Sequence, residues 1–193
     1  KNDIGIINGL WANSLGKGGI IPIQTLFYPT NIFLELKLTG LQGDVMKESM
    51  NVAKTLAWSL LEKDTQISNV ADYEKTKTQG IHIHCPEGAV SKDGPSAGGA
   101  ITLSLYSLLN NKPINNTISM TGETNLQGRI TAIGGLDSKI LGSIKAGVKT
   151  ILYPVDNQID FDDFMEKYAE VVDLTEMKFH AIDHIDDAMK HVF

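Results

Sequence analysis

The sequence predicts a domain of mixed α and β structure, of the α/β or α+β class. Short β-rich stretches and amphipathic helical patterns alternate along the chain. Its 193 residues suit one globular domain, and 42% of them are hydrophobic, which is enough to build a core. No stretch reaches the roughly 20 apolar residues that a membrane-spanning helix needs. We therefore expect a single soluble domain over residues 1–193.

The first forty residues predict a β-meander. Three β-rich segments, over 4–11, 19–28 and 31–40, are separated by Gly, Pro and Asn. The segment "NSLGKGG" between the first two contains Gly and Lys, as phosphate-binding loops do. It lacks the spacing G-x-x-x-x-G-K-[ST], since Gly18 follows Lys17, and a hairpin turn explains it better.

The middle of the chain predicts two helices separated by one strand. Apolar residues at helical spacing indicate an amphipathic helix from Asp44 to about Lys63. The polar segment 69–80 is expected to be a connection, and "IHIHC" a strand over 81–85. A second helix is expected from about Ser96 to Leu109, because Pro95 is favoured near a helix start.

The C-terminal half continues the alternation of strands and helices. The third helix should end at Gly147, since glycine commonly terminates helices. We expect strands at 117–123, 126–133, 148–154, 170–173 and 178–182, and helices at 136–147, 160–168 and 184–192.

Charge and cysteine content restrict the expected partners. A net charge of −6 argues against a wide nucleic-acid-binding surface. Cys85 is the only cysteine, so the chain cannot form an internal disulfide and fits a reducing, intracellular compartment. Cys85 is a conceivable nucleophile, but packing within a buried strand is the simpler interpretation.

The segment "KDGPSAGGA", residues 92–100, surrounds Ser96 with small side chains. A serine hydroxyl becomes a nucleophile only beside a base, near donors for an oxyanion and within reach of substrate. Backbone N–H groups at a helix start can supply the donors, and small neighbours allow another chain to approach. The simpler interpretation is that Ser96 caps a helix.

Two kinds of residue are candidates for the base that would activate Ser96: histidine, which is the usual base, and lysine. His82 and His84 lie on one face of a strand, near Glu87 and Asp93 in the sequence. That pattern would suit a metal site, but it lacks a clear third ligand. Surface or hydrogen-bonded strand histidines are the simpler interpretation.

Lys139 is the alternative base. On a helix over 136–148 it falls beside Gly142, Ser143 and Ala146, away from the apolar face. Two small-residue surfaces, this face and the helix start after Ser96, could bring Lys139 to Ser96. A lysine shielded from water has a lowered pKa, so its amine could take the serine proton. The simpler interpretation is an exposed helical lysine.

Three segments resemble the proteolytic domain of the Lon family of ATP-dependent proteases. They are "GLQGDVMKESMNVA" (40–53), "IHIHCPEGAVSKDGPSAGGA" (81–100) and "MTGETNLQGRITAIGGLDSKILGSIKAGVKTILYP" (120–154). The motif P-x-G-A-x-x-K-D-G-P-S-A-G is highly specific, and Lys139 follows at the separation from Ser96 that the family uses. Three stretches depart from the usual family pattern: residues 9–24, Gly99-Ala100 and Asp137-Ser138. These differences bear on the shape of the substrate groove and on where the domain begins, and not on the dyad.

The resemblance assigns roles to four residues. It implies that Ser96 is the nucleophile and Lys139 the general base of a Ser–Lys dyad. Thr121 matches a threonine whose hydroxyl lies near the lysine ammonium. Asp93 matches an acidic residue that either pairs with the lysine in an inactive form or swings away. Backbone N–H groups around Ser96 would then bind the oxyanion.

The resemblance also implies an architecture and partners. The family fold is α+β, like the second domain of ribosomal protein S5, and it forms a six-membered ring below an AAA+ motor. The motor's nucleotide-binding motifs are absent from this sequence, so the chain corresponds to the protease module. We expect no cofactor and no metal here, because ATP and Mg belong to the motor. The expected substrates are unfolded or damaged proteins, in the cytoplasm or the mitochondrial matrix, with no membrane or nucleic-acid partner.

Two other functions are alternatives. The first is a non-catalytic Lon-like module for assembly or substrate docking, but such modules usually lack the serine or the lysine. The second is a different Ser–Lys hydrolase with the motif S-x-x-K. Gly99 stands three residues after Ser96, so that motif is absent.

Overall fold

The structure of this chain, a computed structural model, describes residues 2–40, 43–86 and 96–193. The helices are α1 (Asp44–Leu60), α2 (Lys63–Thr76), α3 (Gly98–Asn110), α4 (Leu136–Lys145), α5 (Gln158–Tyr168) and α6 (Ile185–Val192). The strands are β1 (Asn2–Ile4), β2 (Ile6–Ala12), β3 (Gly18–Tyr28), β4 (Leu36–Gly40), β5 (Gly80–Cys85), β6 (Pro113–Asn115), β7 (Ile118–Met120), β8 (Glu123–Thr124), β9 (Ile130–Thr131), β10 (Thr150–Pro154) and β11 (Lys178–Ile182).

A seven-stranded mixed sheet lies at the centre, in the order β11-β10-β7-β2-β3-β5-β4. Strand β3 runs antiparallel to both β2 and β5, and the other neighbours are parallel. Strands β1 and β6 form a small ribbon, as do β8 and β9. The mixed α/β composition predicted from the sequence is therefore confirmed.

The predicted N-terminal meander is wrong beyond its first hairpin. Strands β2 and β3 pair as expected, but β4 pairs in parallel with β5 at the sheet edge. Ile81 and Ile83 of β5 are fully buried, whereas β4 is only partly buried. The more apolar strand therefore occupies the interior of the sheet, although it comes later in the chain.

Two further elements differ from the expectation. Most of the segment expected to be a polar connection, residues 69–76, belongs to α2, whose one buried residue is Asn69. A helix without an apolar stripe gives no periodic signal. The strand expected at 170–173 does not form, and Val171 in that stretch is exposed.

The two faces of the sheet are covered by different helices. Helix α3 lies buried on one face of the sheet, and α1 packs on α3. The hydrophobic core on this face includes Ile7, Met50 and Ile101. Helices α4 and α5 cover the other face, where Leu10 and Ile140 are buried. Because side chains alternate along a strand, Ile7 and Leu10 of β2 point to opposite faces. The helix that follows Ser96 and the helix that carries Lys139 are thus separated by the sheet.

Cys85 is buried at the end of β5, with 1% of its surface exposed. Burial raises the pKa of its thiol to about 11, so the thiol stays protonated at neutral pH. Since the thiolate is the nucleophilic form, this cysteine packs the strand and is no nucleophile. This confirms the simpler interpretation of the sequence.

Within residues 2–40, 43–86 and 96–193, no helix is both long enough and apolar enough to cross a bilayer.

Candidate active site

Ser96 and Lys139 meet directly. The Nζ atom of Lys139 donates a hydrogen bond to Oγ of Ser96 at 3.2 Å. Ser96 lies two residues before α3, and Lys139 lies in the first turn of α4. Because these helices cover opposite faces of the sheet, the contact forms beyond the carboxyl end of β7, where no strand separates them.

The turn around Ser96 is held by the chain that follows β7. The Ser96 carbonyl accepts a hydrogen bond from the Gly122 N–H at 2.9 Å, and the Gly99 N–H donates to the Gly122 carbonyl at 3.0 Å. The N-cap of α3 is Ala97, so Ser96 is not the helix cap. Its hydroxyl is directed to Lys139 instead, and the capping interpretation is wrong.

Lys139 is almost fully buried, with 3% of its surface exposed. Lysine is among the residues least often buried completely, and it needs a partner when it is. Gly135, in the left-handed region at φ 68°, is the N-cap residue of α4, and its carbonyl accepts a hydrogen bond from the Lys139 N–H. The interpretation of Lys139 as an exposed helical lysine is wrong.

The small-residue face of α4 packs on β3. A Cβ atom added to Gly142 would collide with the backbone of Gly18, and one added to Gly18 would collide with the Ser138 carbonyl. Helix and strand therefore touch backbone to backbone. We expected this face to pack against the start of α3 and so bring Lys139 to Ser96. That prediction is wrong, because the sheet lies between α3 and α4. The glycines instead set the height of α4 above the sheet.

Asn157 fixes the chain that leads into α4. Its Nδ2 donates to the Ile133 carbonyl at 2.8 Å, and its Oδ1 accepts from the Ile133 N–H at 2.9 Å. Nδ2 also donates to the Asp160 carboxylate at 2.7 Å, and the side chain is 2% exposed. Sequence reasoning did not find Asn157, because a lone asparagine after a strand has no distinctive pattern.

Thr121 follows β7 and is fully buried. Its N–H donates to the Leu152 carbonyl at 3.0 Å, whereas its Oγ1 has no hydrogen-bond partner among the residues that the structure describes. The next residue, Gly122, is the one bonded to Ser96. Thr121 thus lies one residue from the contact that holds the serine, and its hydroxyl is unpaired within the described residues.

Glu123 is a second residue that sequence reasoning missed. Its carboxylate accepts hydrogen bonds from the Ser49 hydroxyl of α1, the Thr124 N–H and the Gly98 N–H of α3. Burial raises the pKa of this carboxyl, and the three hydrogen bonds oppose that shift. No pattern in the sequence signalled these contacts, because the Ser49 and Gly98 donors lie on α1 and α3, far from Glu123 along the chain.

The remaining predicted site residues lie elsewhere. Asp93 and Glu87 fall outside the described residues. His82 and His84 share the hydroxyl of Thr39, at 2.8 and 2.7 Å. Burial lowers the pKa of His82, and electrostatic repulsion from Lys37 and His84 lowers it further. No three His, Cys, Asp or Glu side chains cluster as metal ligands within 2–40, 43–86 and 96–193. The interpretation of the pair as hydrogen-bonded strand histidines is confirmed.

The comparison with protein families decides the family. The model of the Lon protease (S16) C-terminal proteolytic domain matches residues 1–193. The chain belongs to this Lon family. Lon protease from Fusobacterium nucleatum is 40% identical over 190 residues, which is 98% of this chain and 23% of the relative. Lon protease from Chlamydia trachomatis is 37% identical over 194 residues, 100% of this chain and 22% of the relative.

A mitochondrial relative matches in addition to the bacterial ones. The mitochondrial Lon protease homolog of Yarrowia lipolytica is 41% identical over 169 residues, which is 86% of this chain and 14% of the relative. This Lon domain therefore spans less than a quarter of the length of each of these three relatives.

Proposed function

We propose that this chain is a serine endopeptidase module that cleaves peptide bonds with a Ser96–Lys139 dyad. The observation that carries the proposal is the 3.2 Å contact between Lys139 Nζ and Ser96 Oγ at a nearly fully buried lysine. Burial disfavours a charged amine, and a neutral amine can act as a base. Membership of the Lon proteolytic family supports the same conclusion.

The reaction proceeds in two stages. The neutral Lys139 amine takes the proton of Ser96 as Oγ attacks the carbonyl carbon of the peptide bond. The resulting ammonium then gives this proton to the departing amine, which leaves an ester between substrate and Ser96. Water attacks the ester while Lys139 again accepts a proton, and return of that proton to Ser96 releases the acid product.

Within the described part of the turn around Ser96, two backbone N–H groups can be excluded as donors to the oxyanion. The Gly98 N–H is already bonded to Glu123, and the Gly99 N–H to Gly122. Donors to an oxyanion must be aimed at the oxygen that becomes charged. The N–H groups of Ser96 and Ala97 are therefore the candidates in this turn.

Larger features of the protein follow from family membership as part of the same proposal. We assign the chain the fold of the second domain of ribosomal protein S5 and a place in a six-membered ring. An AAA+ motor would supply ATP-driven unfolding of damaged proteins, for protein quality control in the cytoplasm or the mitochondrial matrix. Asp93 would regulate the dyad by pairing with Lys139 or releasing it.

Labelling by a fluorophosphonate tests this function. The probe should react with Ser96 in the full-length protein, and peptide mapping should locate the adduct. Labelling should be lost in a Lys139→Ala variant, because the serine then lacks its base. Equal labelling rates in the wild type and in that variant would contradict the dyad, whereas Lys145→Ala, an exposed lysine on the same helix, should label normally.

Thr121→Val should lower the rate of peptide hydrolysis about three- to tenfold without destabilising the fold. Valine has the shape of threonine, and the lost hydroxyl has no partner within the described chain, so removing it does not break a structural hydrogen bond. If the hydroxyl steadies the Lys139 amine during the reaction, kcat falls while the melting temperature stays constant or rises. Full activity in this variant would remove Thr121 from the site.

A further inference from the structure

Glu123 joins the start of α3 to helix α1. Its two carboxylate oxygens each lie 3.1 Å from the Ser49 Oγ of α1, and Oε1 also accepts from the Thr124 N–H at 3.0 Å. The Gly98 N–H, at the first position of α3, is its third donor. One partly buried carboxylate thus connects β8, α1 and the helix that begins two residues after Ser96.

This carboxylate replaces the missing cap of α3. The N-cap residue Ala97 has no side chain that could accept a hydrogen bond, and no capping bond forms there. The first N–H groups of a helix need acceptors, and a negative charge is favourable beside them. Glu123 provides both from another part of the chain.

Gly98 lets the Glu123 carboxylate approach the start of α3, because glycine has no side chain. A Cβ atom at position 98 would collide with Glu123 Oε1, so any larger residue would displace the carboxylate or the helix start. This contact explains one of the small residues in "PSAGGA". The glycine serves the internal cap rather than the approach of a substrate.

Residues 122 and 123 together hold the turn that carries Ser96. Gly122 donates to the Ser96 carbonyl and accepts from the Gly99 N–H, and Glu123 accepts from the Gly98 N–H. Three contacts therefore restrain three of the four consecutive residues 96–99, namely Ser96, Gly98 and Gly99. The Ser96 Oγ to Lys139 Nζ distance depends on where this turn sits, and rates of chemistry fall steeply when reacting groups are misplaced by an ångström.

We propose that Glu123 is a positioning residue: its carboxylate caps α3 and, through Gly98 and Ser49, holds Ser96 in line with Lys139. The inference rests on the proposed dyad, since positioning matters only if Ser96 reacts. Glu123 itself touches neither Ser96 nor the substrate in this scheme.

The test uses Glu123→Gln and Ser49→Ala in the full-length protein, with a fluorogenic peptide as substrate. Glutamine keeps the shape but carries no charge, and its NH₂ group cannot accept the bonds that one oxygen accepts now. We expect kcat and the fluorophosphonate labelling rate of Ser96 to fall about tenfold, with KM within about twofold of the wild type. Ser49→Ala should lower kcat about threefold, since one of three donors is lost. In the double variant, kcat should fall by less than the product of the two single-variant reductions, because both substitutions affect the same contact.

Matched controls separate positioning from folding. Glu170→Gln removes an exposed carboxylate between α5 and β11 and should leave kcat and the labelling rate unchanged. Wild-type kcat in both Glu123→Gln and Ser49→Ala would overturn the inference, as would a rise in KM alone. If Glu123→Gln does not fold, Ser49→Ala decides: wild-type kcat and labelling in that variant overturn the inference.

The same assays separate this inference from the proposed dyad. Ser96→Ala is measured in parallel. Turnover retained in Ser96→Ala overturns the dyad, and the inference with it. Turnover lost in Ser96→Ala but unaltered in the Glu123 and Ser49 variants overturns the positioning role alone.

Discussion

Replacing Ser96 or Lys139 by alanine is expected to abolish peptide hydrolysis, with kcat falling at least about 10³-fold for each. Without the Ser96 hydroxyl no acyl-enzyme can form, and without the Lys139 amine the serine loses its proposed base. The contact of 3.2 Å between these two groups makes them one unit. The double variant should therefore be no slower than either single variant, because effects within one catalytic unit do not multiply.

The measurement is the hydrolysis of an unstructured protein by the full-length protein, with circular dichroism and melting temperature as folding controls. Lys139→Met tests the chemistry separately from the packing, since methionine is an apolar chain of similar length that can fill the buried space. Lys145→Ala, which removes an exposed lysine from the last turn of α4, is the matched control and should keep wild-type turnover. Substantial turnover by a folded Ser96→Ala or Lys139→Met variant would disprove the dyad.

Gly142→Ala is expected to destabilise the fold by about 1–3 kcal/mol and to lower kcat strongly. Alanine is normally favoured over glycine inside a helix by up to about 1 kcal/mol, so the sign of the effect is diagnostic. Here the added methyl would meet the backbone of Gly18 on β3, which cannot rotate away as a side chain can. Helix α4 must then move from the sheet and carry Lys139 away from Ser96.

Denaturant unfolding and peptidase kinetics on the same samples check this prediction. Gly134→Ala is the matched control, because a Cβ atom there meets nothing within 4 Å and the residue lies close to the start of α4. It should leave both stability and kcat close to the wild type. A Gly142→Ala variant as stable and as active as the wild type would show that α4 is not held by its contact with β3.

The candidate pair Ser96 and Lys139 could be proposed from the sequence because its signal is local. Ser96 and Lys139 each stand in a short pattern of small residues, and the resemblance to the Lon family joins the two patterns into one dyad. Helices with an apolar stripe, such as α1 and α4, are also recognisable from their period. Helix α2 is not, since its surface lacks that stripe.

The supports of the site were not predictable, because they depend on contacts between distant segments. Glu123 caps a helix to which it does not belong, and Asn157 binds Ile133, 24 residues earlier in the chain. Neither residue type nor spacing identifies such a contact. The same reason explains the misplaced β4, whose partner β5 follows it only after two intervening helices.

Local chemistry, encoded in the sequence alone, determined the family, the alternation of strands and helices, and the choice of Ser96 and Lys139 as the proposed dyad. The tertiary structure decided how that pair meets. Helices α3 and α4 cover opposite faces of one sheet, so Ser96 and Lys139 come together only past the end of β7. The Gly122 N–H donates to the Ser96 carbonyl, the Gly98 N–H donates to the Glu123 carboxylate, and glycine contacts hold α4 against β3. Such contacts form only when the whole sheet is assembled, and for that reason no short stretch of sequence reports them.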